Sequence, residues 1–294
     1  MPLGCFICEV DREYISFQDC LNCADQRFLH IDQSGKARHC QYPRAYIAAC
    51  TPDNSREHAG ISSTMVSSDC ARKTALEMHE DYAELPSKLQ PSVKGTAQHE
   101  YFEKFVQGGA MPESEAMTRF RKYGVLAEVR LAIRMPSGQI LTGKMDTYLA
   151  DHHRLEDYKF KSEDKTPFTK APPGYVVQLN IYRYMLEKGC FINDTGEIVP
   201  PQEPITELVL YPSNHKDWFE VYCPVWPLER VERFIETKLA VFSEMTVDTA
   251  RFAPRGFKDP ATHPLCKGYC AFKDICVATG GEYRDFFSEA VAET

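Results

Sequence analysis

The sequence predicts a mixed α/β fold: a mixed sheet flanked by helices, with a small cysteine-bearing module at the amino terminus. Three observations predict it. Strand-like runs rich in β-formers follow one another at 125–135, 139–150 and 154–161, the first two separated by the turn signal Pro136-Ser137-Gly138. Helical patterns bracket them, at 95–106 before and 175–187 after. Two Cys-x-x-Cys pairs, Cys5 with Cys8 and Cys20 with Cys23, crowd the first 23 residues, where apolar periodicity is weak.

Taken in order, residues 1–30 read as a four-cysteine module, 31–61 as a connector and 62–294 as the main domain. The connector is polar and broken by Gly35, Pro43, Pro52 and Gly60; it holds His39, Cys40 and Cys50, which could join a metal site. Ser67-Ser68-Asp69 supplies N-cap chemistry for a helix over 70–82. Pro86 and Pro91 break the chain ahead of the helix over 95–106, which Gly108-Gly109 ends. A short helix over 113–123 precedes the three strands. Pro172-Pro173-Gly174 introduces the helix over 175–187. Runs at 206–211 and 218–223 read as further strands, and 228–244 as an amphipathic helix. That alternation is the signature of a mixed α/β core.

With 43% hydrophobic and 26% charged residues over 294 positions, the chain can bury a core without disulfides. No apolar run approaches the ~18 residues that would span a bilayer, so no membrane partner is expected. The first residues lack a basic region followed by an apolar stretch, so no signal peptide is expected and the chain is expected to be cytoplasmic, with reduced thiols. Of twelve cysteines, four lie within the first 23 residues and three between 266 and 276, and such clustering in that compartment points to metal. The net charge of −8 argues against a protein that grips nucleic acid with its whole surface, although metal-binding carboxylates contribute to it and a basic groove can coexist with it.

The chemistry concentrates in Gly143-Lys144-Met145-Asp146 and Leu155-Glu156-Asp157-Tyr158-Lys159-Phe160. On adjacent antiparallel strands, Asp146 and Asp157 can converge on one hard cation such as Mg²⁺ or Mn²⁺, which prefers oxygen ligands. Asp157 and Lys159 are two apart and project from one face, setting an ammonium beside the ion. There it could orient or activate the attacking water, or stabilise charge on a phosphate. Glu156 competes for the role of Asp157 but should face the other way. His99, on the preceding helix, offers another ligand. Glu103 lies one turn on, where it could touch a second ion or hold a water. Gln178 and Tyr182 share a helix face and suit contacts with nucleic acid or with Lys159. Singly, each feature has a bland explanation: a surface ion pair, a satisfied helix histidine, a polar helix face. Their joint occurrence points to a site.

In order and context, Gly95-Thr96-Ala97-Gln98-His99-Glu100, Gly143-x-x-Asp146, Asp157-Tyr158-Lys159 and Gln178-x-x-x-Tyr182 resemble the motifs of RecB-type PD-(D/E)XK nucleases, over roughly residues 62–280. The resemblance implies a restriction-endonuclease-like core. It implies His99, Asp146 and Asp157 as metal ligands helped by the Tyr158 carbonyl, Lys159 as the catalytic lysine, and Gln178 and Tyr182 as the family's Gln-x-x-x-Tyr pair. It implies hydrolysis of DNA phosphodiesters to 5′-phosphates and favours exonuclease action on single strands or duplex ends, in recombination, repair or phage DNA metabolism. End trimming in CRISPR spacer acquisition is an alternative. An alternative of another class is a catalytically idle DNA-binding or scaffold subunit.

Cys266, Cys270 and Cys276 place three thiolates in one loop, which suits an iron–sulfur cluster or zinc. The segment resembles the carboxy-terminal cluster motif of iron–sulfur members of the same family, the CRISPR adaptation nucleases and AddB-type helicase–nucleases. Their fourth cysteine lies far upstream, and Ser67-Ser68-Asp69-Cys70-Ala71-Arg72 matches that context. The resemblance implies a 4Fe-4S cluster on Cys70, Cys266, Cys270 and Cys276. Three residues rather than the usual two separate Cys266 from Cys270, which keeps zinc as the alternative and His263 and Cys223 as substitutes for Cys266. At the other end, Cys5, Cys8, Cys20 and Cys23 could complete a tetrahedral Zn²⁺ site. A module this small should need its metal to fold. It would contact a partner protein or brace the fold, since Arg12 and Arg27 are too few for tight DNA binding.

Overall fold

The computed structural model describes residues 3–51, 60–106, 116–160, 168–192, 196–199, 201–213 and 217–292; the side chains of 102–106, 116, 119, 160, 269, 291 and 292 lie outside the description. The chain begins with β1 (Leu3–Ile7), β2 (Tyr14–Ile15), α1 (Phe17–Gln26), β3 (Leu29–Ile31), β4 (Ala37–His39) and α2 (Arg44–Cys50). Then come β5 (Ile61–Ser62), α3 (Ser63–Val66), α4 (Ala71–His79), β6 (Tyr82–Glu84), α5 (Pro86–Val106) and α6 (Ala116–Tyr123). The central strands are β7 (Val125–Arg134), β8 (Ile140–Leu149) and β9 (Arg154–Phe160), followed by α7 (Pro173–Lys188). Next are β10 (Phe191–Ile192), β11 (Glu197–Ile198), β12 (Glu207–Ser213) and β13 (Val221–Cys223), then α8 (Leu228–Ser243). The chain closes with α9 (Pro264–Tyr269), α10 (Lys273–Thr279) and α11 (Phe286–Ala292).

These elements form two compact units, each discontinuous in sequence. One comprises Met1–Glu57, Cys70–Lys94 and Met245–Arg284; the other comprises His58–Asp69, Gly95–Glu244 and Asp285–Thr294. The amino-terminal segment therefore shares its unit with α4 and with the carboxy-terminal cysteines. It joins through the sheet β2-β1-β6, in which β1 runs antiparallel to β2 and parallel to β6. Leu3, Phe6, Cys20, Ile47 and Cys50 form an apolar cluster there, with Tyr82, Leu89 and Val93 packed against it. The stretch expected as a connector contains β4, the second strand of the β3–β4 hairpin, and α2, whose Ile47 is fully buried. Short elements of two to seven residues leave little periodicity to read, which is why the sequence showed none.

The other unit is built on a mixed sheet of order β11-β10-β7-β8-β9-β12-β13, with β5 also pairing β8. The pairings β7–β8 and β8–β9 are antiparallel, and β9–β12 is parallel across the α7 crossover. β7 is buried on both faces along most of its length and β8 over Met145–Tyr148, as central strands should be. α7 starts with Pro173 in its first turn and buries every residue from Val176 to Leu186 except Gln178. α8 buries Val231, Phe234, Ile235, Lys238, Leu239 and Phe242, the stripe of a core-facing helix. The chain is thus a mixed α/β protein with a mixed sheet flanked by helices. α5 differs from expectation: it runs from Pro86 with Pro91 inside it, Pro86 occupying the first helical position, where a proline removes no helical hydrogen bond. Among the described residues, no helix is long and apolar enough to cross a membrane.

Candidate active site

The pairing of β8 with β9 sets Thr147 opposite Glu156 and Tyr148 opposite Leu155, and one step further in this register Asp146 faces Asp157. The Tyr158 backbone N–H donates to Asp146 Oδ2 at 2.7 Å, fixing that carboxylate. From the other side, Ala127 opposes Thr147 and Val129 opposes Met145, which brings Glu128 of β7 across from Asp146. α5 supplies His99, whose Nδ1 lies 3.0 Å from Glu128 Oε1 and 3.7 Å from Asp146 Oδ1. One ligand atom from each of His99, Glu128 and Asp146 lies within 4.8 Å of the other two. Asp157 is not in that close triple. Its Oδ2 is 2.6 Å from Lys159 Nζ, and Lys159 sits 5.0 Å from the centre of the Tyr175 ring. Lys144 Nζ pairs with Glu128 Oε2 at 2.8 Å.

Glu128 is the residue that sequence reasoning missed. It is 6% exposed and has φ of 55°, the left-handed region that a non-glycine residue rarely enters within a strand. Its only signal is that it is the sole acid in the strand-forming run 125–135. Glu156 takes the opposite face, as expected from the pleat: it pairs with Arg154 Nε at 3.1 Å and accepts from Tyr158 Oη at 2.7 Å. The side chain of Glu103 lies outside the described residues.

Gln178 and Tyr182 share a helix face, as their spacing suggested, but the tyrosine hydroxyl is turned into the fold. Tyr182 is 3% exposed, donates from Oη to the Lys144 carbonyl at 2.8 Å, and accepts from Gln178 Nε2 at 3.2 Å and Ser63 Oγ at 3.1 Å. The pair therefore braces β8 two residues before Asp146 and offers no phenol to a strand of nucleic acid. This also gives Gly143 its reason. A β-carbon there would stand 2.6 Å from both Ser63 Oγ and Tyr182 Cε1, and both of those residues are buried. Gly143→Ala should cost about 1–3 kcal/mol by overpacking, read as a lowered urea midpoint, and should shift β8 at Asp146.

Burial, and then the charge of Asp157, push the Asp146 carboxyl up to about 7. Burial pulls the His99 imidazole toward its neutral form, but the Glu128 hydrogen bond and the Asp146 and Glu128 charges outweigh it, and its proton is held more tightly than usual. Burial likewise opposes the Lys159 charge, and Asp157 and Asp146 overcome it, so the ammonium stays protonated. With neutral His99, three buried carboxylates and two ammonium groups sum to −1. A divalent cation would bring the site to +1, complementary to one phosphodiester. Two carboxylates and an imidazole converging in a buried position are a fitting donor set for Mg²⁺ or, with its greater tolerance of nitrogen, Mn²⁺.

The sign of the pH dependence follows. Asp146 in the metal-free fold holds a proton well above the ordinary value of 3.8, so the metal-free protein loses stability as pH rises from about 4 through about 7. An ion must displace that proton. Mn²⁺ affinity, measured by calorimetric titration, should therefore fall as pH drops below about 7, by about tenfold per pH unit for each proton displaced from Asp146 and His99.

In the other unit, Cys70 precedes α4, and Cys266, Cys270 and Cys276 come from α9, the turn after it and α10. Burial raises the Cys266, Cys270 and Cys276 thiols, Cys270 to about 11, and each also feels the charge of Cys70. Cys266 and Cys270 feel Cys276 as well, although no three of these sulfurs are among the ligand atoms that lie within 4.8 Å of one another. Cys70 Sγ also accepts from Gly256 N–H at 3.4 Å. Beside them Arg72 is 0% exposed, bonding the Ala253 and Gly280 carbonyls at 2.7 and 2.6 Å, with the Cys276 sulfur against its guanidinium. No carboxylate pairs with Arg72 among the described residues. A buried guanidinium needs a counter-charge, and metal-bound thiolates would supply it. At the amino terminus, Cys8, Cys20 and Cys23 are buried together, whereas Cys5 lies on the opposite face of the extended β1 arm.

No protein-family model matches the chain, and no curated protein matches it. Among solved structures, the crystal structure of SSO0001 is similar over 76% of this chain and 88% of that one, at 15% identity and a TM-score of 0.41. A likeness of that size assigns nothing, and the residues themselves carry the functional reading.

Proposed function

We propose that the protein is a Mg²⁺- or Mn²⁺-dependent deoxyribonuclease of the PD-(D/E)XK type, acting on single strands or duplex ends. The observation that carries this reading is the convergence of His99, Glu128 and Asp146 from three elements onto one point, with the Asp157–Lys159 pair alongside. His99, Glu128 and Asp146 would hold the ion, with Asp157 completing the set as its salt bridge to Lys159 opens. A bound divalent cation supplies a lowered water pKa and a positive charge against the phosphate. Lys159, held as an ammonium, donates to a phosphate oxygen and stabilises the charge that grows there; it is too firmly protonated to serve as the base. The Tyr158 N–H orients Asp146, and the Gln178–Tyr182–Lys144 chain of hydrogen bonds keeps β8 from sliding.

The four sulfurs of Cys70, Cys266, Cys270 and Cys276 would carry a 4Fe-4S cluster whose role is to staple distant parts of the chain; Arg72 supports it by offering a buried positive charge to an anionic group. The test of the enzymatic reading is incubation of the purified chain with labelled single- and double-stranded DNA, with and without Mn²⁺. Cleavage that needs the ion supports it. Binding without cleavage under all divalent ions would favour an idle scaffold.

A further inference from the structure

The amino-terminal sulfurs carry an inference independent of the nuclease reading. Cys5 and Cys8 have the spacing of a chelating pair but not its conformation. β1 pairs Ile7 with Tyr14, and Cys8 N–H continues the hairpin by donating to Glu13 O at 2.8 Å. Three residues along an extended arm span about 10 Å, and an odd step points the two side chains to opposite faces. Cys8 shares the face of buried Phe6; Cys5 does not. A Cys-x-x-Cys pair can share an ion from a turn or a helix, not from such an arm.

Cys20 and Cys23 do meet that condition. They lie three apart on α1, both buried on its inner face. Arg27 ends α1 in the left-handed conformation, its N–H bonded to Cys23 O, and turns the chain into β3. The hairpin pairs Leu29 with His39, so Cys40, the next residue, returns to the foot of α1. Cys50 sits in the apolar cluster with its thiol toward the Pro86 carbonyl. His30 of β3 reaches between two of the sulfurs: Nε2 is 3.0 Å from Cys23 Sγ and Nδ1 is 3.9 Å from Cys8 Sγ. Nδ1 is also 2.8 Å from Asp11 Oδ2.

We propose that Cys8, Cys20, Cys23 and Cys40 bind one Zn²⁺, with His30, set between Asp11 and the Cys23 sulfur, as a positioning residue. Four thiolates from a hairpin arm, a helix and a second hairpin suit a closed tetrahedral structural site. A sulfur ligand with a carboxylate-held histidine against it has the outer-shell support such sites use. Zinc coordination would also tie β1, α1 and the β3–β4 hairpin, none of which has a long apolar face of its own, into one fold.

The test uses the full chain. Zinc per chain is measured by elemental analysis, with iron counted separately, in the unaltered protein and in Cys40→Ser, Cys5→Ser and His30→Asn. Cobalt is then exchanged into the zinc site of the unaltered protein and its visible spectrum recorded, a readout that does not depend on any variant folding. The proposal predicts one zinc per chain and a four-thiolate cobalt spectrum. It also predicts loss of zinc in Cys40→Ser, full retention in Cys5→Ser, and retention with about 10–100-fold weaker affinity in His30→Asn. A three-sulfur, one-nitrogen cobalt spectrum would overturn it, as would zinc that is lost with Cys5 but kept without Cys40, or unaltered protein that holds no zinc.

Discussion

Lys159→Ala should reduce Mn²⁺-dependent DNA cleavage by about 10²–10³-fold, and Asp157→Asn by at least as much. The Lys159 ammonium lies 2.6 Å from a carboxylate that is itself 2% exposed. Removing the lysine withdraws a fixed cation from the place where phosphate charge develops, a loss of about 3–4 kcal/mol of transition-state stabilisation. It also strands Asp157 as a buried charge without its partner, which costs about 3–5 kcal/mol of stability. The two losses separate experimentally. Mn²⁺ should restore much of the thermal stability of Lys159→Ala, because the ion becomes the counter-charge, but none of its activity. Asp157→Asn combined with Lys159→Gln removes both charges and should fold without added metal while remaining inactive. Cleavage at the unaltered rate in either single variant would mean that the chemistry lies elsewhere.

Cys70→Ser should strip the iron and the brown colour from the purified protein while leaving zinc in place. Cys70 is separated from the other three sulfurs by roughly 200 residues, so a group that joins them removes chain entropy worth about 5 kcal/mol from the unfolded state, on the model used for covalent cross-links. Losing it also leaves Arg72, 0% exposed, without an anionic neighbour. The variant should therefore unfold at markedly lower urea, with the protein no longer brown. Cys223→Ser is the control: Cys223 sits on β13 opposite Leu208, and its loss should leave iron content unchanged. Iron retained at full stoichiometry in Cys70→Ser, or zinc found there in place of iron in the unaltered chain, contradicts the cluster.

The long elements of the mixed sheet were legible because they repeat a pattern many times. β7, β8, β9, α7 and α8 each start and stop within a few residues of where apolar runs, turn signals and prolines predict. The pleat also predicts that Asp157 and Glu156 face opposite ways, and they do, Asp157 toward Lys159 and Glu156 toward Arg154. Glu128 was not legible, because its role depends on cross-strand register and on a backbone kink, neither of which leaves a local signature. Tyr182 was read for its chemistry, whereas its hydroxyl is occupied by the Lys144 carbonyl, a contact between residues 38 apart. The amino-terminal spacing misled for a related reason. Cys-x-x-Cys is a motif only where the chain turns, and the hairpin that β1 makes with β2 holds Cys5 and Cys8 extended.

Crystals of the protein soaked in Mn²⁺ and recorded at the manganese absorption edge give the most direct measurement. An anomalous peak within bonding distance of His99, Glu128 and Asp146, with Asp157 drawn toward it, is the expected result. A peak elsewhere, or none at a Mn²⁺ concentration that supports cleavage, would contradict a shared ion at this point and with it the nuclease assignment.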